Sequence, residues 1–192
     1  VFFWGKEDYR RAIKIFPKIK KKSSIFGSHI VDTWKVFKKK NNLKKNKKQI
    51  MISTNFARSD KKLKNARYEL EKLMFKKISK KQDKLLKAEY DLKERGYEEF
   101  QKMIKNISKK LPKKKFIIRP HPEENLTNYK SLLDLKNVSI DNKTDRKKQL
   151  ITSSFLIHFN STMSVEARFL EKKVLMYYPV KDKELMKVVC PT

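Results

Sequence analysis

The chain has 192 residues, with 50 Lys or Arg against 21 Asp or Glu, and a formal net charge of +29. Its length suits one ordinary domain or slightly more, and a hydrophobic content of 39% can bury a core, which excludes wholesale disorder. Its apolar stretches fall far short of the roughly 18 residues that a membrane span needs. A single cysteine, Cys190, excludes an intramolecular disulfide framework and a Cys-rich zinc site.

The excess of basic residues consists of 42 Lys and only 8 Arg, and the lysines are spread along the whole chain. Proteins that bind nucleic acid favour Arg, because its planar guanidinium forms paired hydrogen bonds with phosphates and guanine edges. The first interpretation is therefore a solvated surface that follows a Lys/Asn bias of the source genome. The second is an anionic partner that exploits the same field, such as an acidic polymer or the inner face of an anionic membrane.

The start of the sequence does not show the pattern of a secretory leader. It begins at Val1, and no charged segment followed by an apolar one comes next, which predicts that no signal peptide is removed. We expect the chain to be the interior of a longer protein in the reducing cytoplasm. If the positive charge serves an anionic partner, we also expect peripheral binding at the inner face of the membrane.

The first 48 residues alternate between β-prone and helical patterns. The apolar spacing predicts two short strands and two helices, in the order Val1–Trp4, Lys6–Phe16, Ser23–Phe26 and a stripe of Val31, Trp34 and Phe37. The stretch 39–48 consists mostly of Lys and Asn, and its composition predicts a linker.

Residues 49–192 have the pattern of a larger domain. Ile50–Thr54 predicts a buried strand, and the long, highly charged segment 61–110 predicts two helices separated at Gly96. A coiled coil is the competing interpretation of that segment. Its heptads do not persist, so we expect the segment to be a helical insertion that packs onto the domain.

Strands alternate with short helices beyond residue 115. Parallel strands that are covered by helices are apolar on both faces, as 116–118 and 155–157 are. The alternation predicts an α/β protein with a doubly wound, Rossmann-like parallel sheet and flanking helices. The predicted strands are Phe116–Arg119, Val138–Ile140, Phe155–His158 and Val174–Tyr177, and the predicted helices are Leu126–Leu135, Asp145–Thr152 and Ser164–Leu170.

Three loops follow predicted strands, at the carboxyl ends where open α/β sheets bind ligands. They span 55–60, 119–124 and 158–164. The first contains Asn55 and Arg58 as possible site residues. The third contains Ser161, Thr162 and Ser164 at a predicted helix start, where free backbone N–H groups favour an anion.

Glu166 lies two residues into the same predicted helix. Its carboxylate would accept hydrogen bonds from vicinal hydroxyls such as those of a ribose. The competing interpretation is that Ser164 only caps the helix and that Glu166 only offsets its dipole.

The second loop places His121 between two prolines, which restrict the backbone and hold the imidazole at the end of a strand. Such an imidazole can hydrogen-bond a phosphate, and Arg119 adds positive charge beside it. By contrast, His158 ends an apolar strand and is expected to be a packing histidine.

Several other chemistries lack their motifs. Only three glycines occur, so the glycine-rich phosphate loop and the dinucleotide fingerprint are absent, and no His/Cys cluster has metal-ligand spacing. We therefore predict no metal and no cofactor, and the sequence identifies no catalytic residue.

Three segments of the sequence are distinctive, namely 116–124 (FIIRPHPEE), 156–167 (LIHFNSTMSVEA) and 173–179 (KVLMYYP). Together they resemble a group of bacterial surface carbohydrate biosynthesis proteins that are related to capsule-type glycosyltransferases of the GT-B fold. The His-Pro element with a downstream Ser-Thr pair is also similar to bacterial sialyltransferases, polysialyltransferases and CDP-glycerol glycerophosphotransferases.

The resemblance implies the carboxy-terminal, nucleotide-binding half of a GT-B fold in residues 49–192. Residues 1–38 would then be the end of the amino-terminal domain and its hinge. His121 and the Ser161–Thr162 loop would hold the donor phosphates, and Glu166 the ribose. The implied partners are a nucleotide-activated sugar or CDP-glycerol-like donor and a growing surface glycan. The chain is expected to be inactive alone, because in this fold the amino-terminal half normally carries the catalytic base.

Two alternatives from other classes stay open. A basic nucleic-acid-binding module would bind in a strongly salt-dependent manner without using His121, although the shortage of Arg makes nucleic acid the less favoured partner. A related sugar-nucleotide epimerase would need acidic residues from the other half of the fold.

Overall fold

The computed structural model describes residues 1–40, 46–57, 64–74 and 78–179, apart from the side chain of Lys38. The chain divides into two compact units, Val1–Asn42 and Leu43–Thr192. Arg58 and Cys190, which the sequence analysis singled out, lie outside the described residues.

The first unit contains a pair of short parallel strands joined through a helix. Its elements are β1 (Phe2–Phe3), α1 (Lys6–Ile15), a 3₁₀ helix (Pro17–Lys22), β2 (Ser24–Ile25) and α2 (His29–Lys40). Acidic Glu7 and Asp8 stand in the first turn of α1, where they complement the helix dipole, and Pro17 begins the 3₁₀ helix that follows it. The predicted order of strand, helix, strand and helix is confirmed.

The second unit is built on a parallel sheet. Its elements are β3 (Asn46–Ser53), α3 (Lys64–Met74), α4 (Lys80–Lys110), β4 (Lys115–Arg119), a 3₁₀ helix (Leu126–Leu132), β5 (Val138–Ile140), α5 (Arg146–Thr152), β6 (Ser153–His158), α6 (Met163–Phe169) and β7 (Lys173–Met176). Over the described residues, the five strands stand in the order β5-β4-β3-β6-β7, and each neighbouring pair is parallel. The chain thus forms the central strand β3 first, then β4 and β5 on one side of it, and then β6 and β7 on the other side. This doubly wound order confirms the predicted Rossmann-like α/β architecture.

Helices cover both faces of this sheet. On one face, α4 places Phe100 and Ile104 against a cluster of buried strand side chains, namely Ile50, Ile52, Phe116, Ile118 and Ile157. On the other face, α5 and α6 cover the alternate side chains of β3 and β6, including fully buried Met51 and Leu156. Each such side chain contributes about 1.5–3 kcal/mol through burial, so the apolar strands hold the unit together.

The described helices of the segment 61–110 are α3 and α4, and α4 packs onto the sheet, as predicted. α4 runs from Lys80 to Lys110 without a break at Gly96, so that part of the prediction was wrong. A Cβ atom on Gly96 would lie 3.4 Å from the ring of Phe159, so this face of α4 packs directly against an aromatic ring. α4 instead begins at a capping box, in which Ser79 and Gln82 satisfy each other's backbone N–H groups.

Several element boundaries also differ from the predictions, including the starts of β3, β6 and α6. β3 begins at Asn46 instead of Ile50, because the start of β6 supplies a pairing partner and Asn46 pairs with Ser153. The helix predicted over 126–135 is a 3₁₀ helix over Leu126–Leu132, and α6 begins at Met163 rather than Ser164. The helices over the described residues include none that is both long enough and apolar enough to cross a membrane.

Candidate functional site

A cavity of about 620 Å³ opens at the carboxyl ends of the parallel strands. Residues at the ends of β3 and β6 line it, and these are the neighbouring strands at which the strand order reverses. Ligands of doubly wound sheets bind at this switch point. The basic side chains of the lining are Arg119, His121, Lys143 and Arg146, and the hydroxyl side chains are Ser53, Thr54, Thr144, Ser161 and Thr162.

Arg119 ends β4 and is held by the loop that follows β5. Its Nη1 atom donates to the carbonyl oxygen of Thr144 at 2.7 Å and to Oε1 of Gln149 at 3.1 Å. Burial lowers the pKa of the guanidinium below its ordinary value, but an arginine remains protonated at neutral pH. The structure therefore brings a fixed positive charge to the cavity wall, at a position that the sequence singled out.

His121 lines the same cavity with an exposed imidazole. The backbone N–H of Glu123 donates to its Nδ1 atom at 3.3 Å, so Nε2 carries the proton in the neutral ring. The flanking prolines and this contact restrict the ring. His121 can thus present a hydrogen-bond donor to an anion in either protonation state.

Glu124 connects the loops that follow β3 and β4. Its carboxylate is buried and accepts from the backbone N–H of His121 at 2.9 Å and from that of Phe56 at 3.0 Å. The hydroxyls of Thr54, at 2.9 Å, and Tyr129 also bond to it. Burial and this carboxylate raise the pKa of Tyr129 well above its ordinary value, so the phenol keeps its proton. The sequence analysis placed Glu124 in the His-Pro loop but gave it no role.

The Ser-Thr loop is packed against the end of β3. Ser161 Oγ lies 2.9 Å from Ser53 Oγ, and both residues line the cavity together with exposed Thr162. The first N–H groups of α6 are already used, because Met163 N donates to Ser161 Oγ and Ser164 N to Ser161 O. The expected free N–H groups are therefore engaged within the loop, and the hydroxyls are the groups that this loop offers to a ligand.

Ser164 and Glu166 lie beside the cavity rather than in its lining. Ser164 is buried, and its hydroxyl has no partner among the described residues. The Glu166 carboxylate is also buried and pairs with Arg146, with Oε1 and Nη2 3.3 Å apart. Because Arg146 does line the cavity, Glu166 acts on this site by orienting a cation.

Asn55 and His158 do not line the cavity, and their side chains bond to other parts of the protein. Asn55 donates to the carbonyl oxygen of Asn160 at 2.9 Å, which ties the loop after β3 to the loop after β6 outside the cavity lining. His158 is fully buried, as expected of a packing histidine, and its Nδ1 atom accepts from Ser161 N at 3.2 Å. Burial lowers the pKa of His158 to about 4, so its ring is neutral near pH 7.

The loop after β5 supplies lining residues that the sequence analysis did not select. Asp141 organises this loop by accepting from Lys143 N at 3.1 Å and from the hydroxyl of Thr144 at 2.6 Å. Although burial acts to raise the pKa of Asp141, the hydrogen bonds from Thr144 lower it below its ordinary value. The sequence could have indicated these lining residues, because 138–140 was predicted as a parallel strand. The loop after such a strand lies at the same edge of the sheet as the other three loops.

The charges of the lining favour an anionic ligand. Arg119, Lys143 and Arg146 are opposed by one lining carboxylate, Asp145, which accepts from Lys148 N at 2.9 Å and caps α5. Over the described ranges, no group of three or more His, Cys, Asp or Glu side chains is placed to hold a metal ion. The arrangement can bind a phosphate or diphosphate through cations and hydroxyls.

The comparison with the profiles of known protein families gives no match for this chain. A search of curated proteins likewise finds no similar sequence.

Proposed function

We propose that the protein is the donor-binding part of a glycosyltransferase or glycerophosphotransferase that assembles surface polysaccharide. The cavity at the switch point carries this proposal, because it combines basic side chains with hydroxyls around a volume of about 620 Å³. That volume falls within the range of small-molecule sites, about 300–1,000 Å³. The resemblance of the 116–124 and 156–167 segments supplies the class of enzyme, and residues 49–192 would be the carboxy-terminal half of a GT-B fold.

The donor would bind by its phosphates. Arg119 and Arg146 can each form paired hydrogen bonds to phosphate oxygens, and His121 can donate from Nε2. The hydroxyls of Ser161 and Thr162 would complete the contacts from the opposite loop. In this arrangement Glu166 does not take the ribose, because its carboxylate is paired with Arg146.

The reaction would be a displacement at the donor. An acceptor hydroxyl oxygen forms a bond to the donor carbon or phosphorus, and the bond from that atom to the nucleotide phosphate oxygen breaks. The nucleotide leaves with the bonding electron pair, and the hydroxyl proton passes to a base supplied by another part of the enzyme. The cations of the cavity stabilise the negative charge that develops on the leaving phosphate.

Calorimetric titration of the chain with CMP, CDP, UDP and GDP tests this proposal. The salt concentration should be high enough to screen diffuse attraction by lysine. We expect selective binding of one nucleotide, and we expect His121→Ala to weaken it about 10-fold to 100-fold, as loss of a charge-assisted hydrogen bond does.

His29→Ala is the matched control, because His29 is exposed and lies in α2 of the first unit. It should leave the affinity unchanged. Equal affinity of the wild-type chain and the His121→Ala variant, in samples with the same circular dichroism spectrum, would contradict the proposal.

A further inference from the structure

A second surface lies at the opposite end of the sheet from the donor cavity. The parallel strands begin there, and α4, which returns the chain from the carboxyl end of β3 to the start of β4, ends there. Of the described residues, eight lysines stand in these strand starts, in the end of α4 and in the turn between α4 and β4. We call them the lysine edge: Lys47, Lys48, Lys109, Lys110, Lys113, Lys114, Lys115 and Lys173.

The lysine edge is positively charged without local compensation. Within the described part of the chain, none of its lysines forms an ion pair with a carboxylate. Several lysines elsewhere do, such as Lys64 with Asp91 and Glu94. Folding therefore brings Lys47, Lys48 and Lys173 beside the lysine-rich stretch 109–115, which concentrates positive charge on one surface.

An apolar groove of about 540 Å³ opens within the lysine edge. Its floor is the sheet face that α4 leaves uncovered, with Phe116 and Ile157 buried at the bottom. Leu111, which is 44% exposed, stands at its side directly after α4. Lys47, Lys114 and Lys173 line the same groove, so apolar surface and positive charge meet within one depression.

This combination favours an amphiphile with an apolar body and an anionic head. Transfer of an apolar side chain such as Leu111 from water to the acyl region of a membrane is favourable. The surrounding ammonium groups attract anionic headgroups. Nucleic acid fits less well, because every cation of this edge is Lys, which lacks the planar guanidinium that binds phosphates and guanine edges through paired hydrogen bonds.

We propose that the lysine edge and its groove bind the surface of an anionic phospholipid bilayer. The lysines contact the headgroups, and Leu111 enters the boundary between headgroups and acyl chains. The donor cavity, at the other end of the strands, then faces the aqueous side. This surface is separate from the donor cavity, so the membrane proposal does not depend on the donor proposal.

Cosedimentation with vesicles tests the proposal directly. The 192-residue chain is mixed with phosphatidylcholine vesicles and with vesicles that also contain phosphatidylglycerol. We expect binding only to the anionic vesicles. The triple variant Lys110→Gln, Lys113→Gln, Lys173→Gln should lower the partition coefficient roughly 100-fold, about fivefold for each lysine removed. Leu111→Ser should lower it as well at unchanged charge.

The matched control removes the same charge from the other end of α4, with Lys80→Gln, Lys81→Gln and Lys84→Gln, all at exposed positions. It should retain most of the binding. Equal losses in the two triple variants would show diffuse attraction by net charge and overturn the proposal. Absence of binding to anionic vesicles, together with binding of single-stranded RNA that the lysine-edge variant abolishes, would overturn it in favour of nucleic acid.

Discussion

At the scale of single residues, the position of the His-Pro loop depends on Glu124. This buried carboxylate accepts hydrogen bonds from the loops after β3 and β4 and from the hydroxyl of Tyr129. A buried carboxylate is stable only when its lone pairs are used, and here backbone N–H groups of Phe56 and His121 use them. Glu124 is thus a positioning residue, since it fixes the backbone that carries His121.

We expect Glu124→Gln to destabilise the chain and to weaken nucleotide binding. The amide nitrogen of glutamine would face N–H and O–H donors, which leaves buried donors without acceptors. The expected loss is about 2–4 kcal/mol in the free energy of unfolding, measured by urea denaturation. Calorimetry should show weaker nucleotide binding under conditions where the variant is folded.

The neighbouring Glu123 provides the control, because its side chain is exposed. Glu123→Gln should change the urea midpoint little and leave nucleotide affinity near that of the wild type. Comparable effects of the two substitutions would show that charge near the cavity matters, rather than the contacts of Glu124.

At the scale of elements, α4 packs a glycine against two aromatic rings from the loops after β3 and β6. Phe159, which stacks on Phe56 at a ring-centroid distance of 4.5 Å, lies against Gly96. A Cβ atom at this position would meet the Phe159 ring at 3.4 Å and the Phe56 ring at 3.6 Å, which are acceptable contacts, but no further atom fits without displacing a ring.

Gly96→Ala and Gly96→Leu should therefore shift stability in opposite directions. Alanine is favoured over glycine within a helix by about 0.5–1 kcal/mol, so we expect Gly96→Ala to raise the free energy of unfolding by up to that amount. Leucine would overpack the rings and lower it by about 1–3 kcal/mol. Urea denaturation measures both, and a loss of stability in the alanine variant would contradict the packing described for α4.

The sequence predicts these elements unevenly, for physical reasons. The strands β4 and β6 could be predicted because the side chains of 116–118 and 155–157 are apolar on both faces. The role of Gly96 could not, because a glycine in a charged helical segment resembles a break unless the ring that packs on it is known. The partners of Glu124 come from residues distant in sequence, such as Thr54 and Tyr129, so local pattern did not reveal its role.

The residues of the candidate site could also be predicted only in part from the sequence. Arg119 and His121 could be predicted because a strand end and two flanking prolines mark their place. Arg146 was missed because only three strand ends were considered. Glu166 was assigned to a ribose because pattern cannot show that its carboxylate is paired with Arg146.

At the scale of the whole molecule, acidification acts on a chain that already carries a formal charge of +29. Burial holds His158 neutral, with a pKa of about 4 against an ordinary value of 6.5. Its pKa in the unfolded chain is higher, so the unfolded chain binds more protons below about pH 6.5. The contribution of this group to stability is therefore complete above that pH and is lost as the pH falls toward about 4.

We expect the free energy of unfolding to fall by about 2 kcal/mol from this group between about pH 7.5 and about pH 5. Urea denaturation at several pH values measures the slope. His158→Gln should flatten it, whereas His29→Gln should not, because His29 is exposed. An unchanged slope in the His158→Gln variant would show that another group causes the loss.

The central place of β3 also determines when the sheet can be completed during synthesis. β3 leaves the ribosome first of the sheet strands, but Ile50 pairs with Phe155 on β6, which is translated long afterwards. Until then one edge of an apolar strand has its backbone groups unpaired, which invites pairing with another chain. Contacts between such distant residues also slow folding. We therefore expect the chain to be more prone to aggregation before β6 is translated than after the sheet is complete.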